Sequence, residues 1–251
     1  MLKKIILFFT IVLLICIILS NAVTPPPPAP WQHATQNIDY DIKEVSKFET
    51  DHIGSTVATF SFEQIVLDGQ SDSITNINQA LKHLCQDFYS SHETDFFNIV
   101  HENGSDTDYR TGNFPYFCKK TVQSVFCTDS ILSILMEDEW YAGGNTYRDP
   151  CCYNYSILTG EPITIDKALV MNTEDTVELI TNAIYNFLDD TQDVTNNTTN
   201  LNSYLIEETL AEYDITEYNY FIDNTGLFVC FPSYLFEFTC TADGPLILKL
   251  T

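Results

Sequence analysis

Past residue 37 the chain is dominated by short runs in which apolar and polar residues alternate. A period of two matches the side-chain period of a strand, so these runs must build sheets with one face buried. Ile38, Tyr40 and Ile42 alternate, then the stretch around Val57, Thr59-Phe60 and Phe62, then Ile65 and Leu67, before Asp68-Gly69 closes the run as a turn. Tyr116 to Cys127 and Ser130 to Tyr141 are rich in β-branched and aromatic residues and flank Thr128-Asp129, the pattern of a β-hairpin. Ala142-Gly143-Gly144-Asn145 breaks the second of these strands, because paired glycines accept backbone angles that other residues resist. A strand from Cys152 to Ile157 and a Thr159-Gly160 turn follow. The last β region runs from Tyr218 to Ile222, through the turn Asp223-Asn224-Thr225-Gly226, to Leu227–Phe231 and finally Pro245–Leu250.

The period changes to that of a helix in two main places. Ile77, Leu81, Leu84 and Phe88 are spaced by four, three and four, which puts one apolar stripe on a helix from about Ser73 to Ser90. Asp72 or Ser73 can cap it, and Phe96, Phe97 and Val100 either extend it or form a second short helix. Val177, Ile180, Ile184, Phe187 and Leu188 form a second stripe with Thr173 as its cap, and shorter helices are expected near Asp166 and over Tyr204–Tyr213. Hairpin-forming strands and amphipathic helices therefore both recur along the chain.

The N-terminus has the parts of a secretory signal: Lys3 and Lys4, an uncharged apolar run from Ile5 to Leu19, and Ser20-Asn21-Ala22. Residues 1–22 are read as a signal peptide or, uncleaved, as a signal anchor, with only four residues ahead of the apolar run. Thr24-Pro25-Pro26-Pro27-Pro28-Ala29-Pro30 is a semi-rigid polyproline spacer, so 23–36 is a linker. The fold is then divided into an N-terminal part, 37–145, and a C-terminal part, 146–251. The chain carries 35 acidic residues against 11 Lys plus Arg, a net charge of −24. Loss of Lys3 and Lys4 with the signal would take it to −26. Such a surface repels nucleic acid and anionic lipid and favours a cationic partner; the membrane is met only through the N-terminal segment, if that segment stays uncleaved.

Seven cysteines follow the signal, and export makes disulfides chemically permissible. Cys118, Cys127, Cys151, Cys152, Cys230 and Cys240 are the disulfide candidates. Cys118 and Cys127 cannot bond to each other if they end one strand, since nine residues of strand span ~30 Å. Neither CxxC pairs nor nearby histidines suggest metal. His83, His92 and His101 recur every nine residues, which on a helix sends successive rings to opposite faces. No G-x-S-x-G elbow, HExxH or phosphate-cradling loop is present, and no catalytic residue or cofactor is assigned. Glu137-Asp138-Glu139 could supply the carboxylate pair of a glycosidase, but three acids in a strand alternate between faces. Asn103, Asn154, Asn196 and Asn197 stand in N-x-S/T sequons.

One resemblance goes further. Tyr141-Ala142-Gly143-Gly144-Asn145, Tyr153-Asn154-Tyr155 and Leu158-Thr159-Gly160-Glu161-Pro162-Ile163-Thr164-Ile165 resemble the extracellular region of RsiV-type anti-sigma factors. Tyr220 to Pro245, with Tyr234 and Gly244-Pro245, belongs to the same pattern. The non-catalytic N-terminal region of PdaC-type peptidoglycan deacetylases is also similar. The resemblance covers roughly residues 38–251, with Gly143 and Gly144 as its structural turn. It implies a two-part extracytoplasmic α+β module, a Gram-positive cell-envelope setting, and a lysozyme-like protein or peptidoglycan as ligand. The function expected is therefore non-catalytic binding or sensing, against the alternative of a wall-glycan hydrolase using paired carboxylates.

Overall fold

The computed structural model describes residues 38–50, 54–104, 116–141, 146–192, 203–232, 235 and 245–251. The signal segment, the proline linker, Gly143, Gly144 and Cys240 lie outside the described residues. Among the described residues eight strands and four helices follow in the order β1 (Tyr40–Thr50), β2 (Thr56–Leu67), α1 (Asp72–Gly104), β3 (Tyr116–Cys127), β4 (Ile131–Tyr141), β5 (Tyr147–Ser156), α2 (Ile165–Leu169), α3 (Thr173–Gln192), α4 (Ser203–Ala211), β6 (Asn219–Asp223), β7 (Gly226–Phe231) and β8 (Leu246–Lys249). The α+β expectation holds. Strands β1 to β5 make one sheet in sequence order, and β6 to β8 make a second.

Among the described strands every pairing but one is antiparallel. β2 and β3 run parallel, with Phe60 opposite Cys118 and Phe62 opposite Lys120. A parallel pair needs a long crossover, and α1 supplies it. This helix is one continuous element, so Phe96 and Val100 extend the first stripe instead of starting another helix. Ser71, one residue ahead of the expected cap, accepts the Ile74 N–H on its hydroxyl at 3.2 Å. The same shift occurs at α3, where the Asn172 side-chain oxygen, not Thr173, accepts the Asp175 N–H at 2.8 Å.

The helix lies on one face of the large sheet and buries Ile74, Ile77, Leu81, Cys85, Phe88, Phe96 and Val100 there. Phe60, fully buried, is the centre of this core. Its ring stacks on Phe88 at 4.9 Å, meets Tyr89 edge-on at 4.9 Å and lies 5.8 Å from Phe96, which in turn meets Trp140 at 5.3 Å. A second core joins Ile165 of α2, Ile180, Ile184 and Leu188 of α3, and Ile206 and Leu210 of α4 to the inner residues of β6 to β8. Ile131 of β4 and Phe126 of β3 also belong to it. In a strand, successive side chains point to opposite faces. Residues 132, 134 and 136 of β4 therefore meet α1, while 131 and 133 meet the second sheet.

β5 follows position 145/146, where the sequence reading divides the fold. β5 is hydrogen-bonded to β4 from Ile131↔Ser156 to Trp140↔Tyr147, so it belongs with β1 to β4. The two parts are distinguished by their cores and share the large sheet. They are joined by side chains that reach the outer edge of β6: Ser133 Oγ accepts the Ile222 N–H at 2.7 Å, and Asn154 Nδ2 donates to the Tyr220 carbonyl at 2.6 Å. A further tie runs from the Thr159-Gly160 turn, where Gly160 has φ 80° and a Cβ would stand 2.9 Å from the Ser73 carbonyl oxygen of α1.

Truncating a buried aromatic forfeits transfer energy and leaves a cavity. Phe60→Ala is expected to lower unfolding free energy by about 3–5 kcal/mol. Phe48→Ala, at a residue 65% exposed on β1, should stay within about 0.5 kcal/mol of the parent. Urea denaturation followed by circular dichroism distinguishes the two.

Candidate functional site

The parallel register that places Lys120 beside Phe62 also points its side chain inward, toward α1. Only 8% exposed, Lys120 finds a partner from each neighbouring direction. Its Nζ lies 3.1 Å from Asp138 Oδ2 on β4, 3.2 Å from the Tyr153 hydroxyl and 3.6 Å from Cys151 Sγ, both on β5. It also sits 5.5 Å from the Phe88 ring centroid, over a π face that attracts a cation. The Cys151 thiol donates to Asp138 Oδ2 at 3.2 Å. Among the described residues Asp138 Oδ1 is buried without a hydrogen-bond partner.

The electrostatics of this cluster follow from burial and charge. Burial disfavours the Lys120 ammonium, but Cys151, Tyr153 and Asp138 outweigh it and raise its pKa. Burial pushes the Cys151 thiol up to about 12, opposed by Lys120 and reinforced by Asp138, so at neutral pH it is a protonated donor. A thiol in that state is a poor nucleophile. Asp149, opposite Asp138 in the β4–β5 register, is raised by burial and by the Asp138 charge. The arrangement neutralises one buried cation and fixes three strands around it.

The opposite face of the same strands carries the other carboxylates. Glu137 and Glu139 stand two apart on β4, away from Asp138, as alternation requires. Arg148 Nε pairs with Glu139 Oε1 at 2.9 Å. Burial, the Glu139 charge and a side-chain hydrogen bond to Glu139 raise the Glu137 pKa, against the pull of Arg148. Lys119 and Phe117 of β3 share this face, the ammonium 4.5 Å from the ring centroid.

The disulfide candidates separate in the same way. Cys118 and Cys127 end the single strand β3 and are both buried toward α1, where burial pushes their thiols up to about 12 and about 11. Cys151 faces α1, whereas Cys152 faces the second sheet with its Sγ 3.9 Å from that of Cys230. Of the α1 histidines, His101 Nε2 meets Glu49 Oε2 at 3.0 Å and the His92 ring lies tilted on Phe88 at 5.3 Å. Among the described residues no three His, Cys, Asp or Glu side chains could hold a metal ion together. Asn154, in a sequon, is 7% exposed and committed to Tyr220, so a glycan has no access. The Lys120 cluster escapes sequence reasoning because Asp138, Cys151 and Tyr153 lie 18 to 33 residues from Lys120 and meet it only through sheet register.

The class defined by this architecture is visible among solved structures. The chain is similar in fold to a DUF3298 family member from Bacteroides fragilis, at TM-score 0.54 and 16% identity, over 86% of this chain and 91% of that one. A DUF3298 family protein from Pseudomonas aeruginosa is similar at TM-score 0.51 and 7% identity, over 85% and 90%. No family model matches the sequence, and no curated protein matches it. The likeness is thus one of fold. None of the described helices is long and apolar enough to cross a membrane.

Glu137 gives a pH-dependent prediction. Its folded-state pKa lies above the unfolded value of ~4.3, so the folded state holds the extra proton and stability falls as pH rises through that window. Removing the charge by Glu137→Gln should raise the urea midpoint relative to the parent at pH 7 and lose that advantage at pH 3.5. An equal effect at both pH values contradicts the electrostatic assignment.

Proposed function

We propose that this chain is a non-catalytic extracytoplasmic binding module whose ligand is a cationic protein of the lysozyme type. The observation that carries the reading is the net charge of −24 combined with the way the basic groups are used. Lys47 is bound to Glu93 at 2.6 Å, Lys120 to Asp138 and Arg148 to Glu139, so these cations are spent inside the molecule. Exposed acids are left in groups: Glu174, Asp175 and Glu178 at the start of α3, and Glu212, Asp214 and Glu217 between α4 and β6. Asp214 is held ionised below the usual carboxylate range by the Thr216 N–H and hydroxyl. A field of one sign accelerates encounter with the opposite sign and is screened by salt. The resemblance to RsiV-type extracellular regions supports the same ligand class, and the N-terminal apolar segment supports export.

The rival reading is a wall-glycan hydrolase built on Glu137 and Glu139, favoured by the raised Glu137 pKa. The geometry is unfavourable to it. Glycosidase carboxyls stand at least ~5 Å apart to straddle the glycosidic bond. Glu137 and Glu139 stand two apart on the same face of one strand, and Arg148 already occupies Glu139.

Titration of the purified full chain with hen lysozyme, by calorimetry at low and high salt, tests the proposal. Saturable binding that weakens about tenfold or more between 50 and 500 mM salt is expected. No binding at low salt removes the ligand, and release of reducing ends from peptidoglycan, lost in Glu139→Gln, would promote the hydrolase.

A further inference from the structure

We propose that Cys152 and Cys230 form a disulfide that covalently joins the five-stranded sheet to the three-stranded one. Their sulfurs are 3.9 Å apart, with the Cys152 thiol directed at Cys230. The backbone between them is already held. The Cys152 N–H donates to Asn219 Oδ1 at 3.3 Å, and Asn219 is the register partner of Cys230 in the β6–β7 pair. A disulfide needs the sulfurs at ~2.05 Å, an approach that side-chain rotation supplies once the backbones are in place. Cys230 is 2% exposed and lies within the contact between the sheets.

Strand alternation selects this partner over the one adjacent in sequence. Cys151 and Cys152 point to opposite faces of β5. The Cys151 thiol is engaged by Asp138 and Lys120 on the α1 side. Cys118 and Cys127 are buried on that side as well. Among the described cysteines Cys152 and Cys230 are therefore the pair that shares a face and a contact.

The chemistry requires a two-electron acceptor, which a low-molecular-weight disulfide such as oxidised glutathione provides. One cysteine thiolate attacks it and releases the first glutathione thiol, leaving a mixed disulfide. The second cysteine displaces the other glutathione, so two protein thiols and one external disulfide become one protein disulfide and two external thiols. Burial and the hydrogen bond to Cys230 hold the Cys152 proton tightly in the docked state. The exchange accordingly runs while the sheets are still coming together. The cysteines are 78 positions apart, so the bond removes much conformational freedom from the unfolded chain.

The test refolds the full chain from reducing denaturant into a glutathione redox buffer, alkylates the remaining thiols and maps peptides without reduction. A peptide bearing Cys152 linked to one bearing Cys230 is expected. The link should persist in Cys151→Ser and vanish in Cys152→Ser. Dithiothreitol should then lower the melting temperature of the parent by roughly 5–15 °C and leave Cys230→Ser unchanged. Recovery of Cys152 and Cys230 both alkylated, or a Cys230 link that survives in Cys152→Ser, overturns the proposal. The parent and Cys151→Ser maps decide the matter even if the other variants fail to fold.

Discussion

The structure depends on how the outer edge of β6 is satisfied. An edge strand presents unpaired N–H and C=O groups, and burying them without partners costs about 1–3 kcal/mol each. Here the edge abuts the large sheet, and two buried polar side chains on that sheet's face meet it: Ser133 takes the Ile222 N–H and Asn154 gives to the Tyr220 carbonyl. Tyr220 then reaches back through its hydroxyl to the Ile163 carbonyl at 2.6 Å, tying the segment after β5 to the same strand. The three-stranded sheet is small, its last strand β8 being four residues long. With its edge satisfied, it can bring α3 and α4 onto a shared core that includes Ile131 and Phe126.

The large sheet thus serves two cores, one on each face, and its strands alternate accordingly. Leu132, Ile134 and Met136 of β4 pack on α1, and Ile131 and Ser133 meet the second sheet. Lys120, Asp138, Cys151 and Tyr153 occupy the helix side as a charge-neutral knot where β3, β4 and β5 adjoin. Removing Asp138 would leave the buried Lys120 charge without its ion-pair partner, which makes the knot a device for register more than for chemistry. Its composition suits a structural part, and groups of exposed acids lie elsewhere, among other places on α3 and the α4–β6 connection. The functional proposal therefore places recognition on the exposed acidic elements and leaves the sheet as scaffold.

Much of the fold was legible because its signals are local. Alternation from Tyr116 to Tyr141 marks a hairpin whatever surrounds it, and the stripe from Ile77 to Phe88 marks a helix. The caps at Ser71 and Asn172 fell one residue earlier than read because polar residues stand side by side there and only packing of the stripe sets the phase. The parallel β2–β3 pair and the place of β5 were not legible, since strand alternation carries no information about neighbour or direction. Cys151 and Cys152 serve different faces because both lie on β5, which starts at Tyr147, five residues ahead of the strand start expected at Cys152.

Hydrogen exchange of the Ile222 amide, followed by NMR, tests the docking of the β6 edge most directly. An outer-edge amide exchanges through local fraying unless something holds it. If Ser133 receives that N–H, exchange in the parent should be slow and close to the global opening limit, and Ser133→Ala should accelerate it selectively while Val229 and Leu248 stay protected. Exchange at Ile222 that is fast in the parent, or unaffected by Ser133→Ala, would contradict the claim that the two sheets are joined at this edge.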